Sequence, residues 1–420
     1  MELKTVLASL GEMEFYDDLV PWWDEGIMTL PSHRPSFLNP PEVKICREWC
    51  GFEAALDPLL ENVANRIAGD PYLLRLAWYF YWNIFECAGR FWKRSPSFQS
   101  SLGGDGGILY LLVALGLVPR LRNYHQTLGV PENVTRETCQ QVRWVCGNYE
   151  RVHQGRRGLF IRQLTWLQLY LRGNLFFRLG RFEYWLNFFP GGLHVFRNRQ
   201  TDEVVVLADA GSVFTREGFA EPAGQENSPP ECWKSSFVMD AAAVKGYPIS
   251  PWGKAIRNEI SLPLDLWQPA LVKGDPVLSL HIPPGGKMGI NECGESLNRA
   301  VEFFRRNFPE KPPVAITCSS WMFSPLLEQI LPPASNLVLF ERELYLYSCA
   351  STELSWLWFV FLQEKLDFKT APRETSLQRA ILGFLEAGHT WRNGNMFFLI
   401  DDLKHFGKQY YRSKWTLGTP

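Results

Sequence analysis

The sequence predicts an α+β protein: an all-helical N-terminal domain over about residues 1–170, then a mixed α/β domain over 171–420. Three observations carry this. Apolar residues recur at helical spacing from Met1 to about Leu179. Near Leu179-Gly180-Arg181 the period changes to the alternation of strands. Pro276 to Tyr347 then reads strand, glycine loop, helix, strand, helix, strand, which is a parallel crossover. A chain of 420 residues also exceeds one ordinary core, so two domains are expected.

In the helical half, Asp70-Pro71 is an N-cap followed by proline. Behind it Leu73, Leu74, Ala77, Phe80, Tyr81 and Ile84 form a wide apolar stripe. Pro41-Glu42 and Pro131-Glu132 start two further helices, each with an acid in its first turn. Ser101 to Gly107 is glycine-rich but lacks the Gly-Lys-Ser/Thr ending of a phosphate loop, and solidly apolar residues follow. It reads as a flexible connection before a buried helix.

In the second half, Phe182–Phe189, Leu193–Phe196 and Glu203–Leu207 read as strands, with Pro190-Gly191-Gly192 and 197–202 as turns. Glu217 to Glu231 is a loop, and Phe237–Asp240, Lys245–Ile249 and Ile260–Leu266 are further extended pieces. The central strand starts at Val277, ends on His281 and breaks at Pro283-Pro284-Gly285-Gly286. Cys293, Leu297, Ala300, Val301 and Phe304 make the stripe of the helix that follows. Val314–Cys318 is the second buried strand, Ser324–Leu331 a short helix, and Asn336–Tyr347 a third strand. Leu354–Leu366 is expected to be helical, and so is the segment after the capped start at Thr375, ending at Gly388. Met396–Ile400 is the last strand.

Composition narrows the class. Lys plus Arg number 43 against 44 Asp plus Glu, so the total shows no footprint for nucleic acid. Nine cysteines without Cys-x-x-Cys read as reduced thiols. The charged N-terminus is no signal peptide, and the longest apolar run, Ile108–Val118, is too short to span a bilayer. A cytoplasmic protein with no membrane partner is therefore expected, its oligomeric state left open. Seven dispersed histidines argue against metal, and the two Glu-x-x-His spacings (Glu150/His153, Glu386/His389) read as chance.

Leu280-His281-Ile282-Pro283 with Gly285-Gly286, then Cys293, Ser296, Phe303-Phe304 and Phe308-Pro309, form a block continued by Cys318, Ser320-Trp321 and Ser335-Asn336. Upstream stand Leu171-Arg172-Gly173 and Arg178-Leu179-Gly180-Arg181; downstream stand Thr375 to Ala380, Gly388 and Trp391-Arg392. In combination, over roughly Gly129 to Leu399, these residues resemble a bacterial acyltransferase-domain family with a helical N-terminal N-acyltransferase domain and a GNAT-like C-terminal domain. The resemblance implies coenzyme A or acyl-CoA as cosubstrate and a small-molecule acyl acceptor. It implies that Ile282, Gly285, Gly286, Lys287, Met288, Gly289, Ile290 and Asn291 contact the cofactor, and that the strands ending at His281 and Cys318 splay to admit the pantetheine arm. The usual GNAT loop signature is replaced by Gly285-Gly286-Lys287-Met288-Gly289, and no tyrosine stands in Ser324–Leu331 to serve as general acid.

Acyl transfer from a thioester to an amine needs a base, a polarised carbonyl and a proton for the thiolate. His281 is either that base or a core histidine bonded to backbone. Ser320 and Cys318 are either proton or hydrogen-bond donors or structural, and alternation puts both on one strand face with Ser319 opposite. A covalent route through Cys318 is a further alternative. Arg379 and Trp391 line an acceptor site or simply pack. The functional alternatives are thus an acyl-CoA N-acyltransferase working by direct attack and a non-catalytic ligand-binding protein on a degenerate GNAT scaffold.

Overall fold

The computed structural model describes residues 1–87, 92, 94–171, 176–222 and 231–418. Arg172 and Gly173, and 223–230 of the Glu217–Glu231 loop, lie outside the described residues. The chain divides into two compact units: Met1–Leu179 with Ile282–Gly285, and Gly180–His281 with Gly286–Pro420.

Through residue 170 the described part of the first unit holds helices alone as regular structure. Helix α1 (Pro71–Phe85) starts where expected, the Asp70 carboxylate accepting from the Tyr72 and Leu73 amides at 2.7 and 3.0 Å. Helix α2 (Gly106–Leu115) is buried on every side, as a helix apolar all round must be. The glycine-rich stretch before it is not a flexible connection: Gln99–Leu102 and Gly103–Asp105 are helical turns. A Cβ on Gly106 would overlap the Ser97 carbonyl, and one on Gly107 the Tyr149 ring. Glycine is needed there for close approach, not for mobility. The helical segment Gln99–Thr127 is long and apolar enough in composition to cross a bilayer, but 78% of its apolar window is buried inside the protein. An eleven-residue apolar run understated that length because α2 and the helix after it are nearly continuous.

Six strands of the second unit form one sheet: β1 (Phe182–Phe188), β2 (Trp252–Gly253), β3 (Pro276–His281), β4 (Ala315–Ser320), β5 (Tyr345–Ser348) and β6 (Gly394–Leu399). They lie in the order β1-β3-β4-β6-β5-β2. The central pair, β3 and β4, is parallel; β1 and β6 flank it antiparallel. Helix α3 (Ile290–Asn307) makes the crossover, burying the predicted stripe Cys293, Leu297, Ala300, Val301 and Phe304. Its Ser296 hydroxyl accepts from the Phe182 amide at 3.1 Å and bonds the Tyr184 hydroxyl at 3.0 Å. A second sheet carries Leu193–Asn198 and Val204–Ala208 beside Pro248–Ile249 and Trp267–Leu271.

Three expectations change. Asn336–Tyr347 is not one strand: Asn336–Arg342 is helix α4, and only Tyr345–Ser348 is extended. After Pro332-Pro333 the chain restarts at Ser335 in extended conformation, and Val338, Phe340 and Glu341 turn to the interior. A short apolar run fits both periods, and burial chose the helix. The Ser324–Leu331 helix shrinks to Leu327–Ile330. Leu354–Leu366 splits into Leu354–Leu357 and Trp358–Phe361, stopped by Leu362 at φ 55°. Helix α5 (Ser376–Glu386) has the predicted cap, with Thr375 and Gln378 exchanging side-chain and backbone hydrogen bonds.

Candidate active site

The site is built where one ladder stops. Strands β3 and β4 pair at Val277↔Ala315, Leu278↔Ile316 and Ser279↔Thr317, and no further. Yet β3 stays paired with β1 through Leu280↔Tyr184 and His281↔Glu183. Likewise β4 stays paired with β6 through Cys318↔Met396, Ser319↔Asn395 and Ser320↔Gly394. The two central strands therefore part after Ser279 and Thr317 while each is still held by its outer neighbour. That is the splayed gap the sequence led us to expect between the two strands.

At the mouth of the gap, His281 Nδ1 lies 2.7 Å from a carboxylate oxygen of Glu183. The Glu183 side chain is fully buried and that of His281 is 18% exposed. A buried carboxylate facing Nδ1 selects the tautomer with its proton on Nδ1, so Nε2 presents a lone pair. His281 thus has a buried carboxylate as a partner. Sequence reasoning missed Glu183; its one signal was an acid at the second position of an otherwise apolar strand.

Register decides which groups share a side with His281. Partners in a ladder point the same way, so Glu183, His281, Ser279 and Thr317 lie on one face. Alternation along β4 then puts Ser319 on that face, and pairing extends the row through Asn395 to Tyr347. Cys318 and Ser320 lie on the other face, with Leu280, Met396 and Leu346. The structure does not bring them to His281's side; a one-residue offset separates them from it. Burial pushes the Cys318 thiol up to about 12, which leaves little of it as thiolate near neutral pH. Ser320 accepts from the Met322 amide at 3.2 Å, which caps the turn Trp321–Phe323. Burial likewise pushes the Tyr347 hydroxyl up, keeping it a neutral donor.

Beyond His281, Gly285 and Gly286 take φ of 75° and 78°, which favours glycine. A Cβ on Gly285 would overlap the Trp144 ring, within the first unit to which Ile282 and Gly285 belong. Gly286, Lys287, Met288, Gly289, Ile290 and Asn291 belong to the second unit. Met288 is buried, Lys287 and Asn291 are exposed, and Gly289 is the N-cap of α3, with no side chain capping it. The first-turn amides of α3 thus end beside a glycine loop, an arrangement suited to an anion. Arg181 Nε donates to the Lys287 carbonyl at 3.1 Å and packs its Cδ near Gly286. This second cation was not singled out by sequence reasoning, though the Leu179-Gly180-Arg181 turn pointed to it. The Glu292 carboxylate folds back over Gly289.

Other candidates fall elsewhere. Trp391 is 1% exposed and donates to Asn393, and Arg379 donates to the Arg373 and Glu374 carbonyls, so both pack and pair. His153 and His389 stack on Tyr149 and Phe384. Among the described residues no group of three or more His, Cys, Asp or Glu is placed to hold a metal ion.

A helical unit followed by a unit whose parallel strands splay above a glycine loop defines an acyltransferase-type architecture. The chain belongs to the family with the GNAT-like C-terminal domain, which it matches over residues 176–398; residues 46–173 match the N-acyltransferase N-terminal domain. No curated protein matches it. Among solved structures it is similar to a mutant acyltransferase in complex with octanoyl-CoA, at 23% identity and TM-score 0.61 over 95% of this chain and 99% of the other. It is also similar to an acyltransferase in complex with decanoyl-CoA and teicoplanin, at 23% identity and TM-score 0.59 over 95% of this chain and 100% of the other.

Proposed function

We propose that this protein is an acyl-CoA-dependent N-acyltransferase that moves the acyl group to an amine on a small-molecule acceptor by direct attack. The observation that carries this is the arrested β3–β4 ladder with the Glu183–His281 pair at its mouth. Similar structures hold octanoyl-CoA, decanoyl-CoA and, as a further molecule, teicoplanin, which favours a medium-chain donor and a small-molecule acceptor.

In this reading the diphosphate of coenzyme A rests on the amides of Gly285 to Asn291, with Lys287 and Arg181 supplying positive charge. The pantetheine arm runs along the inner edge of β4, where amides not engaged by β3 face the gap. His281 Nε2 takes the proton of the attacking ammonium, and Glu183 orients the ring and stabilises the imidazolium. The freed amine attacks the thioester carbon and forms the C–N bond; as the tetrahedral intermediate collapses, the C–S bond breaks and the nitrogen's surplus proton passes to the departing thiolate, releasing the coenzyme A thiol. Ser319 and Tyr347 carry the hydroxyls on the His281 face.

The test is calorimetric titration with acetyl-, octanoyl- and decanoyl-CoA, followed by thiol release against a panel of amines. Saturable binding of an acyl-CoA, and thiol release that depends on amine, are expected. The non-catalytic alternative is favoured by the Glu292 carboxylate standing over the start of α3. It predicts binding without thiol release under any amine, and absence of binding to all three thioesters sinks both readings.

A further inference from the structure

We propose that the second unit carries a separate binding site for a small organic carboxylate, on the sheet face opposite His281. A cavity of about 220 Å³ opens there, lined by Trp252, Lys254, Pro325, Glu328, Glu341 and Arg412. Leu346, also in its wall, pairs with Met396 and so shares the Cys318 face.

Two buried polar atoms point to a ligand. Glu341 is 2% exposed, yet its Oε1 has no hydrogen-bond partner, and neither has Arg412 Nε. Both residues line the cavity. Burying such groups unpaired is costly, and a ligand seated in the cavity lies against both side chains. Glu328 is already engaged: one of its oxygens accepts from Arg342 at 2.7 Å and the other from Arg412 at 2.7 Å.

The charges choose the ligand's sign. Glu328 is compensated by two guanidinium groups, and Lys254 adds a further positive charge. Burial pushes the Glu341 carboxyl well above the usual range, against the opposing pull of Arg412 and Arg342; Glu328 pushes the same way as burial. A neutral Glu341 donates its O–H and Arg412 donates Nε–H, so the pocket offers two buried donors and a cation. One carboxylate, accepting at both oxygens, satisfies them. Trp252, Pro325 and Leu346 give its short carbon chain an apolar wall. Arg412 and Lys254 would repel a ligand ammonium and attract a carboxylate.

Propionate, 1-propanol and propylammonium, titrated into the full-length chain by calorimetry, test this. Propionate alone is expected to saturate, and Arg412→Lys to weaken it about tenfold, the scale of one charge-assisted hydrogen bond. Glu341→Gln keeps a donor and should bind propionate with pH-independent affinity. The parent affinity should instead fall as rising pH ionises Glu341, with Arg412, Arg342, Glu328 and Lys254 as the neighbouring charges. Thiol release from acyl-CoA should be unchanged in Glu341→Gln, which separates this site from the splayed gap. No saturation by propionate, equal binding of propanol or propylammonium, or full affinity in Glu341→Leu overturns the proposal. The Gln and Leu variants keep it testable should the Arg412 variant misfold.

Discussion

The Glu183 carboxylate meets the imidazole of His281 at 2.7 Å. A carboxylate with no exposed surface is costly to ionise unless paired, so its place beneath a half-open histidine is an investment in that ring's orientation. His281→Ala is expected to lower kcat by about 10²- to 10⁴-fold, the range for a general base. Glu183→Gln should lower kcat by about tenfold or more with KM little changed, and flatten the alkaline-rising limb of the pH–rate profile. A pH profile identical to the parent's would show Glu183 to be structural only. Cys318 gives the opposite prediction. Its thiol, pushed up to about 12 by burial, should react with iodoacetamide at pH 8 on the order of a thousandfold more slowly than an ordinary thiol. Peptide mapping after timed alkylation checks this, and Cys318→Ser should keep thiol release. Prompt loss of activity on labelling Cys318 would restore the covalent route.

Among the elements, helix α5 hangs on its first turn. Thr375→Ala removes one half of a reciprocal cap and should cost about 1 kcal/mol in urea unfolding, provided the two-state approximation holds for the second unit. Caps of this kind were legible from the sequence because Thr375 and Gln378 signal through spacing alone. So were Asp70-Pro71, the α3 stripe, and the strand–loop–helix–strand crossover, where local chemistry and tertiary burial agree. Asn336–Tyr347 was not, since Leu337 to Phe340 suit either period and only packing discriminates. The partners of His281 were illegible for a different reason. Register is set by pairing across 98 residues of sequence, and an error of one position exchanges Ser319 for Ser320 and swaps sheet faces. Gly106 and Gly107 at the start of α2 misled because closeness of packing, invisible in the sequence, looks like looseness.

At the scale of the molecule, acid stability should be governed partly by His125 in the first unit. It is 1% exposed, with Nδ1 2.9 Å from the Thr135 hydroxyl, and burial pushes it down to about 4. An unfolded histidine takes a proton near pH 6.5, so between about pH 6.5 and 4 the unfolded chain binds more protons and the native state loses ground. The loss should reach on the order of 3 kcal/mol by pH 4 and be absent in His125→Asn, measured as the difference in urea midpoints between pH 7 and 4.5. The parting of β3 from β4 has a consequence of another order. A slot walled by main chain prescribes shape while leaving the alphabet of its walls open, because every residue but proline brings the same amide. Chains can therefore rewrite nearly every letter along those strands and still keep the slot, so the outline outlasts the spelling, as 23% identity across 95% of the chain illustrates.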